Sequence, residues 1–350
     1  MKKMLAMLLA LVMILGLAAC ASTKPAADAT ATSEPSNSGD SASAETSAEA
    51  SDAAPAESGK TYTVGVCQLI QHEALDAATQ GFIDALKEEL GDAVTVDVQN
   101  ASGDSVNCGT IVNGFVSRGV DLIMANATPA LTAAVSATAD IPILGTSITA
   151  YGVALDIDDF NGTVGGNVSG TSDLADLQAQ AQMILDWFPE TKTVGLLFCS
   201  AEPNSRYQID EVRKALEAQG VTCEEFAFTD SNDVSSVTQK AADFSDVVYI
   251  PTDNTAASNT EAIANILIPA GVPAICGEEG ICRGCGVATL SISYYDLGVT
   301  TGKMAAKILK GEANISEMPV EYTDATPKYN ASICDQLGIT PLDGYEAIEG

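Results

Sequence analysis

Residues 251–255 read Pro-Thr-Asp-Asn-Thr; they end the apolar run Val248-Tyr249-Ile250 and open a helix-like run over 256–270. A carboxylate, an amide and two hydroxyls beside the unpaired N–H groups of a helix start can grip a small polar solute. The set has no partner for covalent or acid–base catalysis. The chain holds one histidine, His72, and contains no nucleophile elbow, P-loop or dinucleotide fingerprint. His72-Glu73 resembles the start of a zinc-peptidase helix, but Asp76 stands where a second histidine should be. Cys282-Arg283-Gly284-Cys285 has C-x-x-C spacing with Cys276 nearby, yet a closed zinc site wants four ligands and no fourth is evident; a disulfide is the alternative there. Cys67, Cys108, Cys199 and Cys223 fall in apolar segments and read as buried free thiols. A binding protein without metal or cofactor is expected, not an enzyme.

The elements that must position these residues repeat. A strand over 62–67 is followed by a polar tip (68–73) and by Leu75, Ala78, Phe82, Leu86 and Leu90 at helical spacing. A strand over 94–98, a helical stripe through Cys108, Val112 and Phe115, strands over 121–125 and 141–144, and tips at 126–129 and 145–147 continue the rhythm. It restarts at Thr193-Val194-Gly195-Leu196, an echo of Thr63-Val64-Gly65-Val66, with a tip over 200–205 and later tips at 251–254 and 277–280. Strands alternating with helices give parallel sheets, whose ligands lie beyond the carboxyl ends of the strands. Two such runs predict two Rossmann-like α/β lobes joined by a multi-strand hinge, with crossings in 152–174, in 287–294 and after 318.

The formal net charge is −31 in 350 residues, with 46% apolar side chains. That balance excludes a nucleic-acid face, which must be basic, and suits a soluble, self-repelling extracytoplasmic chain. Met1-Lys2-Lys3, the apolar run 5–17 and Leu17-Ala18-Ala19-Cys20 resemble a bacterial lipoprotein leader. The resemblance implies cleavage before Cys20 and a lipid on its sulfur, an anchor that does not span the bilayer. Residues 21–59, nearly all Ala, Ser, Thr, Pro and acids, predict a disordered tether.

The folded part resembles the ABC-transporter substrate-binding lipoproteins of the type I periplasmic-binding-protein fold, and within them the branch assigned to tryptophan or tyrosine uptake. The matching residues are His72-Glu73-Ala74-Leu75-Asp76, Ala127-Thr128-Pro129-Ala130, Gly165-Gly166-Asn167-Val168-Ser169-Gly170, Pro251-Thr252-Asp253-Asn254, Gly277-Glu278-Glu279-Gly280, Ile292-Ser293-Tyr294-Tyr295-Asp296-Leu297-Gly298 and Lys307-Ile308-Leu309-Lys310-Gly311-Glu312. The resemblance implies two lobes that close over one small solute, an aromatic amino acid above all, and a monomer that delivers it to a permease and its ATPase. A ligand sensor for a membrane receptor, or a carrier of another amino acid, a sugar or a nucleoside, is the alternative. The expected division is a leader over 1–19, a tether over 20–59, a first lobe over 60–168 and 293–318, and a second over 169–292 and 319–350.

An amino acid needs donors for its carboxylate and an acceptor for its ammonium. Thr128, Thr146, Ser147, Asn204 and Ser205 are the candidates for the carboxylate, with plain helix capping as the alternative for Thr128 and Ser205. Asp253 is the first choice for the ammonium, supported by Asn254, with Glu278 or Glu279 in reserve; Asp253 as a helix cap is the competing reading. Gln68 could hydrogen-bond the ligand, His72 or Tyr207 could stack on an aromatic one, and Tyr294 flanks the cleft or packs the hinge.

Overall fold

The computed structural model describes residues 60–348. The leader, Cys20 and the tether expected over 20–59 lie outside the described residues. Among the described residues no helix is long and apolar enough to cross a membrane.

The first half runs β1 (Tyr62–Gln68), α1 (Glu73–Leu90), β2 (Val94–Asn100), α2 (Ser105–Arg118), β3 (Leu122–Asn126), α3 (Thr128–Ala137), β4 (Ile143–Ile148), α4 (Tyr151–Ala154) and β5 (Val168–Ser172). The second runs α5 (Leu177–Trp187), β6 (Thr193–Cys199), α6 (Pro203–Glu217), β7 (Thr222–Phe228), α7 (Val234–Phe244), β8 (Val247–Ile250), α8 (Asn254–Ala257), α9 (Thr260–Ala270), β9 (Ala274–Cys276), α10 (Glu279–Cys285) and β10 (Ala288–Ser291). The chain closes with α11 (Tyr294–Lys310), β11 (Glu321–Tyr322), β12 (Thr326–Tyr329), α12 (Ala331–Leu337) and β13 (Glu346–Ala347). One sheet has the order β11-β5-β4-β3-β1-β2 and the other β13-β12-β10-β9-β8-β6-β7. Every pairing is parallel except β10 with β12. The two-lobed α/β architecture expected from the sequence is what the structure shows.

Parallel strands are covered on both faces and so read as continuous apolar runs. Val64 and Val66 of β1 pack with Leu122, Met124 and Met304 on one face, while Cys67 packs with Cys108, Val112 and Phe115 on the other. A Cβ on Gly65 would stand 2.6 Å from the Phe115 ring, so the α2 aromatic lies flat on the strand only because that residue has none.

Two of the lobe boundaries fall a few residues later than drawn. β5 stays in the first sheet through Ser172, paired with β4 on one side and β11 on the other. Two side chains hold it: Thr171 Oγ1 meets Thr146 Oγ1 at 3.1 Å and Thr301 Oγ1 at 2.8 Å, and Ser169 Oγ donates to the carbonyls of Met318 and Pro319. The boundaries drawn at 168/169 and 318/319 therefore shift to the linkers 173–176 and 323–325, with 292–293 as the third connection. The glycine-rich stretch before β5 is a loop of the first lobe.

α11 returns to the first lobe by packing on α1 backbone to backbone. A Cβ on Gly298 would meet the Ala78 carbonyl oxygen at 2.0 Å, and one on Gly81 the Tyr295 carbonyl oxygen at 2.1 Å. Replacing Gly298 by Ala should therefore force the helices apart and cost about 2–3 kcal/mol of stability, measured by urea unfolding; an unchanged midpoint would contradict this packing.

Candidate ligand site between the lobes

The strand tips of both sheets face one another across a small chamber lined by His72, Leu75, Ser147, Thr149, Asp173, Asn204, Thr252, Asp253, Asn254, Ala257, Glu278 and Tyr294. Its volume, about 10 Å³, leaves room for about one water-sized group. Two contacts bridge the lobes at its edge. His72 Nε2 lies 3.2 Å from Asn254 Oδ1, and Arg283 is paired with Glu73 at 3.0 Å.

Much of the acidic wall is consumed by helix starts. Asp253 is the N-cap of α8: Oδ1 accepts from the Ala256 N–H (2.8 Å), and Oδ2 from the Cys199 N–H (2.6 Å) and the Ser205 hydroxyl (2.8 Å). Both oxygens are occupied, so the capping reading describes Asp253 better than a ligand role. Glu278 likewise caps α10 through the N–H groups of Gly280 and Ile281. Glu202, which the sequence reading passed over, is buried behind the chamber and receives the Asn254 and Thr255 N–H groups, the Asn254 amide and the Thr255 hydroxyl. It also holds the Asn204 amide nitrogen at 3.2 Å, which donates to the Thr252 carbonyl as well.

Four side-chain atoms on the chamber residues have no partner: His72 Nδ1, Ser147 Oγ, Asp173 Oδ1 and Asn204 Oδ1. Buried polar groups are nearly always paired, so four on one cavity mark a place for a polar guest. Their chemistry can be assigned. Glu202 and the Thr252 carbonyl fix the Asn204 nitrogen inward, which leaves Oδ1 an acceptor. Asn254 gives its nitrogen to Glu202, so its oxygen must accept from His72 Nε2–H. Burial pushes the His72 pKa down, so the ring is neutral near pH 7 and Nδ1 carries a lone pair. Asp173 Oδ2 accepts from the Tyr294 hydroxyl at 2.9 Å, leaving Oδ1 to the chamber. Burial raises its pKa to about 6 against the opposing pull of Tyr294 and Thr149. Burial lifts Glu278 to about 7, and burial with the Glu202 charge lifts Asp253. Three acceptors, several buried carboxyls and no Lys or Arg on the wall make a pocket for one positive group. Ser147, held at φ 55° by a bulge in β4, supplies the hydroxyl donor.

The structure thus gathers His72, Ser147, Asn204, Asp253, Asn254, Glu278 and Tyr294 of the residues singled out from the sequence. It places the others elsewhere. Thr146 lies inside β4, which runs four residues past its expected end, and its hydroxyl bonds to those of Thr171 and Thr301. Thr128 is buried in the first turn of α3, off the chamber wall. Ser205 serves Asp253. Gln68 is used up by the Ile70 carbonyl, Asp76 and Thr79. Tyr207 packs against the second lobe's core, and Glu279 pairs with Arg283 and Lys328. The reading missed Asp173 and Thr149. No apolar run announces them: Asp173 follows the polar strand Val-Ser-Gly-Thr-Ser and Thr149 the mixed strand Ile-Leu-Gly-Thr-Ser-Ile. The eight cysteines among the described residues are free thiols, Cys276, Cys282 and Cys285 included.

Two lobes with opposed strand tips, three connections and a polar chamber between them define a bilobal solute-binding protein. A profile of ABC transporter substrate binding proteins matches residues 63–344, and the chain belongs to that family. Its members are extracytoplasmic solute-binding proteins. A tyrosine-binding protein of Clostridioides difficile is 32% identical over 276 residues, which cover 77% of this chain and 79% of that one. A Streptococcus pneumoniae ABC domain in complex with L-Trp superposes with a TM-score of 0.78 at 32% identity, over 83% of this chain and 100% of the other. A ligand-free, open substrate-binding protein from C. difficile gives 0.63 at 33% identity, over 83% and 99%. At nearly the same identity this chain thus superposes better on the liganded relative than on the open one. A myo-inositol-bound relative from Bacillus halodurans, at 16% identity and a TM-score of 0.57, shares the fold alone.

Asp253→Ala should lower the melting temperature of the free protein, because three buried donors lose their acceptor, at about 1–3 kcal/mol each. Thermal unfolding checks this, and an unaltered melting temperature would return Asp253 to the ligand's side.

Proposed function

We propose that this protein captures a free aromatic amino acid and presents it, with the lobes closed, to an ABC permease and its ATPase. The observation that carries the proposal is the set of four unpaired polar atoms contributed by the first lobe, the hinge and the second lobe to one ammonium-sized chamber. In this reading Asp173 Oδ1 and Asn204 Oδ1 accept the ligand's ammonium, with His72 Nδ1 beside them. Because the contacts come from both lobes, the ligand is held only when they meet, and this differential affinity drives closure. A micromolar affinity, about −8 kcal/mol, is within reach of such a site. The tyrosine-binding relative and the relative crystallised with L-Trp support an aromatic side chain over a sugar. We further propose a monomer tethered through a lipidated Cys20.

Thermal-shift screening against the twenty amino acids, sugars and nucleosides tests the class: stabilisation by tyrosine, tryptophan or phenylalanine is expected, and stabilisation by sugars alone would refute it. Asp173→Asn should weaken binding about 100-fold, the loss of roughly 3 kcal/mol from a buried charge pair.

The pH dependence has a definite sign. The Asp173 pKa is raised to about 6 in the folded protein from an ordinary 3.8, so protonation favours the free folded state and competes with the ammonium. Affinity should fall as pH drops through 6, up to tenfold per unit, and fall less steeply in Asp173→Asn. Conversely, the ionised carboxyl destabilises the ligand-free protein. The variant should therefore be more stable than wild type at pH 7, by roughly 2–3 kcal/mol, with the gap closing as pH approaches 4. Parallel urea titrations at the two pH values measure it.

A further inference from the structure

A chamber with room for one water-sized group takes an ammonium but not an aromatic ring. The ring must lie elsewhere, and a second cavity adjoins. It is an interlobe groove of about 330 Å³ walled by Leu69, Ile70 and Pro129 from the first lobe and by Cys199 and residues 229–232 from the second. Asn254 lines both spaces. Glu202, on the groove wall, bonds to Asn204 on the chamber wall, so the two cavities share one hydrogen-bonded partition.

We propose that this groove is the side-chain subsite of the ligand: the ammonium enters the chamber past Asn254, and the aromatic ring lies between Ile70 and Pro129 on one side and Cys199 on the other. This rests on the amino-acid reading above. Three features favour it. Leu69, Ile70, Pro129 and Cys199 give the groove an apolar face for a ring, beside the polar Glu202 and Asn254. The far end, Asp230-Ser231-Asn232, is exposed and polar, so a phenol hydroxyl or indole N–H reaching it stays hydrogen-bonded. Both lobes contribute, so the ring adds to the contacts made only on closure. Ile70 and Pro129 are then specificity-determining residues, and they act on the side chain without touching the head group.

The test uses the full chain and p-azido-L-phenylalanine, an aromatic amino acid whose azide marks the end of the ring. After irradiation and digestion, adducts are expected on Ile70, Pro129 or residues 229–232, and excess L-tyrosine should suppress them. Adducts on Leu75, Ala257 or Tyr294 would place the ring within the chamber and overturn the proposal. Ser105→Trp with Ser231→Trp, at exposed positions on opposite lips of the groove, should lower L-tyrosine affinity at least tenfold while leaving the melting temperature of the free protein unchanged. Unaltered affinity in that folded double variant would also overturn it. If instead no amino acid stabilises the wild-type protein, the head-group reading itself fails, an outcome distinct from adducts in the wrong cavity.

Discussion

Helices that begin in the floor of a closed cleft bring buried N–H groups with no partner along the helix. Most of the site's architecture follows from meeting that demand. Asp253 and Glu278 are spent on α8 and α10, and Glu202 is spent on the Asn254 and Thr255 amides. The acids that look most available for a cation are therefore the least available. What remains for a guest is the remainder after capping: one oxygen of Asp173, one of Asn204, the Ser147 hydroxyl and a ring nitrogen of His72. Glu202 has a second effect. By taking the nitrogens of Asn204 and Asn254, it turns both amide oxygens outward and so sets the polarity of the chamber from behind it.

The fold was legible because its signals are local and repeated. The echo of Thr-Val-Gly at 63–65 and 193–195, the apolar strands and the stripe through Phe82 and Leu86 each correspond to an element of the structure. The ends of elements were less legible. β4 continues through Gly145 and Thr146 to Ile148, although these residues read as a tip, because β3 and β5 pair with it and the Thr146 hydroxyl joins those of Thr171 in β5 and Thr301 in α11. Lobe boundaries failed for the same reason: no local pattern says that Ser169 will be claimed by Met318 and Pro319, 149 and 150 residues away.

The site was half legible. Sequence placed polar residues at strand tips and Tyr294 at a crossing, and seven of these residues line the chamber. It could not divide them into capping and free groups, since Asp253 and Asp173 differ by which N–H groups happen to face them in three dimensions. Asp173 lies in the first connection between the lobes and accepts from Tyr294, the first residue of α11 just after the second. That position couples it to the hinge as well as to the chamber, and the Arg283–Glu73 pair and the His72–Asn254 bond span the cleft nearby. A guest that satisfies Asp173 Oδ1 thus acts where the lobes pivot.

The glycine seam between α1 and α11 has a consequence for biosynthesis. One face of the first sheet, with Val64, Val66, Leu122 and Met124, is covered by residues near the carboxyl end, Met304, Ala305 and Leu309 among them. A nascent chain emerging in order cannot finish its first lobe until the second has been made. Until then only α1, through Phe82 and Leu86, covers that oily face, and the two halves, alike as they are, cannot be separated by cutting the gene once between them.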